Sequence, residues 1–291
     1  MYKVDNAVIM AAGASSRFAP LSYECPKALI EVKGEILIER QIRQLREAGI
    51  QEIYVVVGYK AEQFDYLQEK FGVHIIMNKD YLTRNNHSSI YTVRDILRNT
   101  YICSADNYFL HNPFESRVHD SYYAALYSDG PTGEWCMQTD DAGYITQVQV
   151  GGSDSWYMLG HAFWSEDFSR KFIPLLLEAY AKPETRDLFW ENIYISNIHQ
   201  LSMQMRKYSD DVIFEFDSID ELREFDTSYV EDTRSAILKD IARRLDGKES
   251  EIINICAYKG KNAAAAGIRF EFRHESYMYD YNNQMLRRYR E

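Results

Sequence analysis

The chain has 291 residues, a formal net charge of −11, 46% apolar residues and 26% charged residues. This composition supplies a sizeable core and a wetted surface, and its acidic balance argues against a nucleic-acid or anionic-membrane partner. No run of about 18 apolar residues exists, so no membrane span is expected.

The elements begin with a strand over residues 6–11, early enough to leave no room for a signal peptide. An amphipathic helix follows over 36–48, with Ile38, Ile42 and Leu45 on one face and Gly49 as its stop. Strands over 52–57, 73–77 and 101–105 alternate with helices over 61–71 and 88–98. This alternation implies a Rossmann-like α/β fold, a mostly parallel mixed sheet flanked by helices. Ligands in such sheets bind beyond the carboxyl ends of the strands, so the loops after Ala11, Met77 and Ala105 should meet at one cleft. Beyond residue 107 the pattern changes. Short strands over 122–128, 134–139, 144–150 and 156–164 include the turn Asp141-Ala142-Gly143. Helices over 166–181 and 185–200 and strands near 203–208 and 212–216 complete a substrate lobe, about 107–217, within one domain spanning 1–227. Ser218-Ile219-Asp220-Glu221 is a capping box. Residues 228–291 form a small α+β extension, with a helix over 228–245 and strands over 252–258, 268–272 and 277–281. That extension is too small for a large core of its own, so it is expected to pack on the main domain or to belong to an assembly, a homo-oligomer included. Cys25, Cys103, Cys136 and Cys256 are scattered, without metal spacing or a disulfide framework, so a reducing cytoplasm is expected. Cys103 and Cys256, in apolar segments, are expected in the core.

The most informative stretch is Val8-Ile9-Met10-Ala11-Ala12-Gly13-Ala14-Ser15-Ser16-Arg17, followed by Pro26-Lys27-Ala28-Leu29. A buried strand leads into small residues whose backbone can approach a phosphate closely. Arg17 and Lys27 then supply cations that neutralise a polyphosphate. Neither the Gly-Lys-Ser/Thr of the triphosphatase loop nor the spacing of the dinucleotide fingerprint is present. Asp106, just past an apolar strand, is placed to hold a magnesium ion, and Asp217, also at a strand end, could supply a second carboxylate. A loop-turn aspartate and a helix cap are the plainer alternatives for these two positions. Trp135, Tyr157, Trp164, Phe189 and Trp190 concentrate large aromatics in the substrate lobe. A quaternary ammonium has no N–H donor and is best held by aromatic faces with a nearby carboxylate. Trp164 alternates along a strand and reads as core, whereas Trp135 and Trp190, flanked by Glu134, Glu191 and Asn192, read as pocket.

The two halves of the loop motif closely resemble the signature of nucleotidyltransferases that activate sugars and amino alcohols. Gly58-Tyr59-Lys60-Ala61-Glu62-Gln63-Phe64, Arg84-Asn85-Asn86-His87-Ser88-Ser89, Gly133-Glu134-Trp135 and Asp187-Leu188-Phe189-Trp190-Glu191-Asn192 narrow the resemblance. Together they are similar to the bacterial CTP:phosphocholine cytidylyltransferases over residues 5–226. The resemblance implies that Ala11, Ala12, Gly13, Ala14, Ser15, Ser16, Arg17, Lys27 and Ala105 bind nucleotide, with Asn85, Asn86 and Ser88 by the base and sugar. It implies that Lys27 contacts phosphate, that Asp106 and Asp217 hold magnesium, and that Trp135, Asp187 and Trp190 lie near the choline pocket. Phe189 stands where tyrosine is expected and keeps the aromatic face.

The expected chemistry is in-line attack of the phosphocholine phosphate on the α-phosphorus of CTP, with Lys27, Arg17 and Asp106 as catalytic groups. No protein base is needed, because the attacking phosphate is already ionised, and His87 reads as a loop residue. The same chemistry on 2-aminoethylphosphonate or phosphoethanolamine is the alternative, kept open by Glu134, Asp187 and Glu191. A non-catalytic nucleotide-binding scaffold is the second. The extension weakly resembles the first strands of a choline-kinase amino lobe through Ile253-Asn254-Ile255-Cys256-Ala257-Tyr258-Lys259-Gly260, Arg269-Phe270-Glu271-Phe272 and Tyr277-Met278-Tyr279. Residues 261–267 lack the polar motif of such a lobe and no kinase catalytic loop follows. The extension is therefore read as a truncated fusion, a degenerate remnant or an unrelated interaction module.

Overall fold

The computed structural model describes residues 1–259 and 265–289. The chain forms two compact groups, residues 1–13 with 37–215 and residues 14–36 with 216–291.

In the first group, β1 (Asn6–Ala11), α1 (Leu37–Glu47), β2 (Ile53–Val57), β3 (His74–Met77), α2 (His87–Thr92) and β4 (Thr100–Ser104) follow the expected alternation. β5 (Tyr122–Thr139) and β6 (Ile145–Trp164) come next, then α3 (Glu166–Tyr180), α4 (Trp190–Ser196) and β7 (Gln204–Lys207). The seven strands form one mixed sheet in the order β7-β5-β6-β4-β1-β2-β3. β1 pairs in parallel with β2 and β4, and β2 with β3. Their apolar runs are explained by burial: Val8, Ile9, Ile53, Val55 and Val56 have no exposed surface. Helix α1 turns the fully buried Ile38, Ile42 and Leu45 inward, as its spacing predicts.

Four expectations change. The short strands over 122–139 and 144–164 are two long ones, antiparallel to each other and joined at the predicted turn, where Gly143 N donates to Asp140 O at 3.0 Å. Asp129-Gly130-Pro131 mimics a loop but is absorbed as a register shift between Ser128 and Pro131, with Gly130 at φ 90°. The helix expected over 88–98 stops at Thr92 and resumes as a tight turn, Arg94–Ile96. The helix expected over 61–71 divides in the same way at Asp65. The one expected over 185–200 shortens to α4, whose N-cap is Phe189. The aromatic core in which Trp164 was expected is confirmed, with Trp164, Phe168 and Phe172 packed beneath the sheet and ring centroids 4.6–6.0 Å apart.

The second group contains α5 (Ile219–Phe225), α6 (Ala236–Arg244) and an antiparallel sheet in the order β8 (Ile252–Lys259), β9 (Ala265–Phe272), β10 (Glu275–Asp280) and β11 (Leu286–Arg288). Ser218 caps α5, accepting from Glu221 N at 3.2 Å. The single helix expected over 228–245 is broken at 232–235, where Arg234 takes φ 63° and Ser235 caps α6 by accepting from Leu238 N at 3.0 Å. Buried Arg223 joins the helices to the sheet, donating to Ile252 O and Glu249 O, both at 2.7 Å. Cys103 is buried as expected, but Cys256 is exposed, because its strand presents that side to solvent. Residues 261–267, used above to set the extension apart from a kinase lobe, lie mostly outside the described residues. Among the described residues no helix is long and apolar enough to cross a membrane.

Candidate functional site

In the first group, the carboxyl ends of the parallel strands lie side by side, as anticipated. Ala105 N donates to Met10 O at 3.2 Å, Tyr59 N to Ala12 O at 3.0 Å and Asn78 N to Val57 O at 2.8 Å. Gly58 is required there, because a Cβ would come within 2.9 Å of Ala12 O and 2.6 Å of the Tyr81 ring. At Gly13 a Cβ would meet nothing within 4 Å, so the backbone there is open to an approaching ligand.

Asp106 is half-buried in the turn after β4. The turn is fixed from below by Gln41, a residue the sequence did not single out. Its fully buried amide donates to Ser104 O at 2.7 Å and to Asn107 O at 2.9 Å. A glutamine among the apolar positions of α1 was the available signal. Asn107 in turn donates to Glu215 Oε2 at 3.3 Å.

Asn85, Asn86 and Ser88 are tied to the 186–191 segment and to one another. Asn85 N donates to Arg186 O at 2.8 Å and Asn85 Nδ2 to Asp187 O at 3.1 Å. Asn86 uses both ends of its amide, accepting from Trp190 N at 2.8 Å and donating to Glu191 Oε2 at 3.2 Å. Ser88 is buried between Asn85 O and Asn78 Nδ2. His87 is also buried, with Nδ1 2.6 Å from Leu188 O, and burial lowers its pKa. This favours a neutral ring, and His87 is the first residue of helix α2, not the loop residue expected.

The aromatic positions divide. Trp135 and Phe189 meet edge to face, centroids 5.7 Å apart at 89°, and Phe189 is 41% exposed. Trp190, expected in a pocket, is 1% exposed and packs against Trp164 at 5.0 Å and Tyr123 at 5.7 Å. The reason is helical phase: Phe189 caps α4, so positions 190, 193 and 194 turn inward together. Glu191 follows Trp190 inward, where burial pushes its carboxyl up to about 7 while Asn86 and Tyr123 donate to it. Glu134 and Asp187 are exposed, and Asp187 pairs with Arg186 at 3.3 Å.

In the second group, Ala14 and Ser15 lead into a tight turn, Ser16–Phe18, with Ser15 left-handed at φ 46°. Arg17, 75% exposed, pairs with Asp217, while Lys27, 4% exposed, holds its Nζ 4.0 Å from Asp217 Oδ1 and 5.6 Å from the Phe18 ring centroid. Two cations thus face one carboxylate. Phosphate oxygens are the complementary ligand for such cations, and carboxylate oxygens are hard donors suited to magnesium. Among the described residues there is no group of three or more His, Cys, Asp or Glu side chains that could hold a metal. Magnesium commonly binds through one or two carboxylates and completes its shell with substrate phosphates and water, a donor chemistry that Asp106 in the first group and Asp217 in the second each supply.

Comparison with known proteins shows the family. Residues 7–135 match the MobA-like NTP transferase domain. The choline-phosphate cytidylyltransferase of Streptococcus pneumoniae is 36% identical over 221 residues, 76% of this chain and 96% of that protein. The 2-aminoethylphosphonate cytidylyltransferase of Lancefieldella rimae is 38% identical over 229 residues, 77% of this chain and 93% of that protein. The solved structure of the Streptococcus pneumoniae CTP:phosphocholine cytidylyltransferase superposes with a TM-score of 0.74 at 36% identity, covering 77% of this chain and 97% of the other. An inositol-1-phosphate CTP transferase from T. maritima shares the fold, with a TM-score of 0.58 at 13% identity over 75% of this chain and 91% of its own. The fold and its strand-end loops are those of a nucleotidyltransferase enzyme. Within that class, the chain belongs to the cytidylyltransferase family.

Proposed function

We propose that the protein transfers the CMP group of CTP to phosphocholine, releasing pyrophosphate and giving CDP-choline. The observation that carries the acceptor is the part-exposed corner of Trp135 and Phe189, two perpendicular aromatic faces of the kind that hold a trimethylammonium group. The acceptor phosphate attacks the α-phosphorus; one P–O bond forms as the α–β phosphoanhydride bond breaks. Arg17 and Lys27 neutralise the triphosphate, and the backbone at Ala11, Ala12, Gly13, Ala14, Ser15 and Ser16 cradles it. Asn85, Asn86, Ser88 and Ala105 border the nucleoside. Asp106 and Asp217 would hold magnesium, which when bound spreads the charge that develops in the transition state. The nucleotidyltransferase domain is placed at residues 1–227, in a reducing cytoplasm where free thiols persist.

A 2-aminoethylphosphonate acceptor is the second reading. It is favoured by exposed Glu134 and Asp187, which flank the aromatic pair in sequence, and by the relative acting on that compound. Glu191 is committed to Asn86 and Tyr123 and does not offer its carboxylate to a free ammonium. The four intact groups Arg17, Lys27, Asp106 and Asp217 weigh against a non-catalytic scaffold.

Trp135→Ala tests the acceptor assignment. Loss of one aromatic face should raise the KM for phosphocholine roughly tenfold or more, while the KM for CTP stays within about threefold. Equal effects on both substrates would overturn the assignment.

A further inference from the structure

About a quarter of this chain lies outside the match to its 36% identical relative, of which 96% is covered. The function proposed above gives residues 228–291 no task, and the structure points to one. Residues 14–36 carry Arg17 and Lys27, yet their own secondary structure is slight: two three-residue turns, the four-residue helix Leu21–Glu24, and the pairing of Glu31–Val32 with Glu35–Ile36. Pieces this short are not stable alone, so the segment must be held by something else.

Its holders in the second group lie on both sides of residue 227: before it, Asp217 meets Arg17 and Lys27, Asp226 Oδ2 accepts from Lys33 N at 2.7 Å and Lys33 lies over the Phe225 ring, and the rest come from beyond it. Tyr229 donates its hydroxyl to Glu31 O at 2.7 Å, and Arg234 donates to the same carbonyl at 3.0 Å and pairs with the Glu31 carboxylate at 3.3 Å. Arg234 also lies over the Tyr229 ring, 4.3 Å from its centroid. The first turn of α6 donates Ile237 N to Glu24 Oε1 at 3.1 Å. Just after β10, Tyr281 stacks on Tyr23, centroids 4.0 Å apart at 23°. Tyr23 sits between Arg17 and Lys27 in sequence, so this stack grips the stretch that joins the two cations.

We propose that residues 228–291 are a positioning brace for the phosphate-binding segment, holding Arg17 and Lys27 ready for a nucleoside triphosphate. The brace rests on the nucleotide reading above but is independent of which acceptor is used. Its contribution falls on triphosphate binding. Without it the segment must be ordered at the cost of binding energy, whereas the acceptor side has no such debt.

The test uses the full chain with Tyr281→Ala, Tyr281→Phe and Arg234→Met. CTP dissociation constants are measured by calorimetry with magnesium and no acceptor, and KM and kcat with acceptor present. Tyr281→Ala is expected to weaken CTP roughly tenfold, a size in keeping with a lost aromatic stack and its packing. Tyr281→Phe should restore wild-type binding, since the ring and not the hydroxyl makes the stack. Arg234→Met should also weaken CTP, with the acceptor KM unchanged in every variant. Wild-type CTP binding by both Tyr281→Ala and Arg234→Met, or an equal loss for CTP and acceptor, would overturn the brace. Because CTP binding is read without an acceptor, failure of the acceptor assignment leaves this result standing.

Discussion

Lys27→Met is expected to lower kcat by about 100- to 1,000-fold, the usual size for removing one preorganised charge from a developing oxyanion. The buried stem of Lys27 brings its ammonium to 4.0 Å from Asp217, in surroundings where a charge is worth more than in bulk water. Methionine keeps the buried volume, so the melting temperature should change by no more than a few degrees. Calorimetry with CTP should show weakened binding in the same variant. Wild-type turnover by Lys27→Met would remove this residue from the chemistry altogether.

Asp106→Asn is expected to be as damaging through a different cause. The turn that carries Asp106 is already fixed by Gln41, so replacing one oxygen by an amide leaves the geometry in place and removes a unit of negative charge from a hard cation site. Turnover should fall by roughly 1,000-fold at low magnesium and recover in part as magnesium is raised, while Lys27→Met should show no such recovery. Stability to urea should be unchanged. If Asp106→Asn kept both its activity and its magnesium dependence, the metal assignment at this position would be wrong.

The parallel half of the sheet was legible because strands buried on both faces are written as unbroken apolar runs, as in Ile53–Val57. The end of the first strand at Ala11 was legible because a run of small residues follows the apolar stretch there. Long antiparallel strands were not, since the Gly and Pro around residue 130 that mark a turn equally mark a bulge. Trp190 was misplaced because its polar neighbours Glu191 and Asn192 suggested a wetted surface. One of them faces inward with it, and the other closes the helix cap by accepting from Phe189 N at 2.8 Å. That the extension packs on the main domain could be anticipated from its small size, but that residues 14–36 are the part associated with 216–291 could not. That association rests on contacts such as Tyr23 with Tyr281 and Tyr229 with Glu31, between positions about two hundred residues or more apart that leave no local pattern.

Acceptor identity is read out by pyrophosphate release from CTP and magnesium with phosphocholine, phosphoethanolamine and 2-aminoethylphosphonate in parallel. The aromatic corner of Trp135 and Phe189 predicts a kcat/KM for phosphocholine at least about tenfold above either primary amine, since a quaternary ammonium gains from aromatic faces without needing acceptors for N–H groups. Preference for a primary amine would contradict that prediction and move recognition to Glu134 and Asp187, and no release with any of the three would contradict the assigned acceptor class.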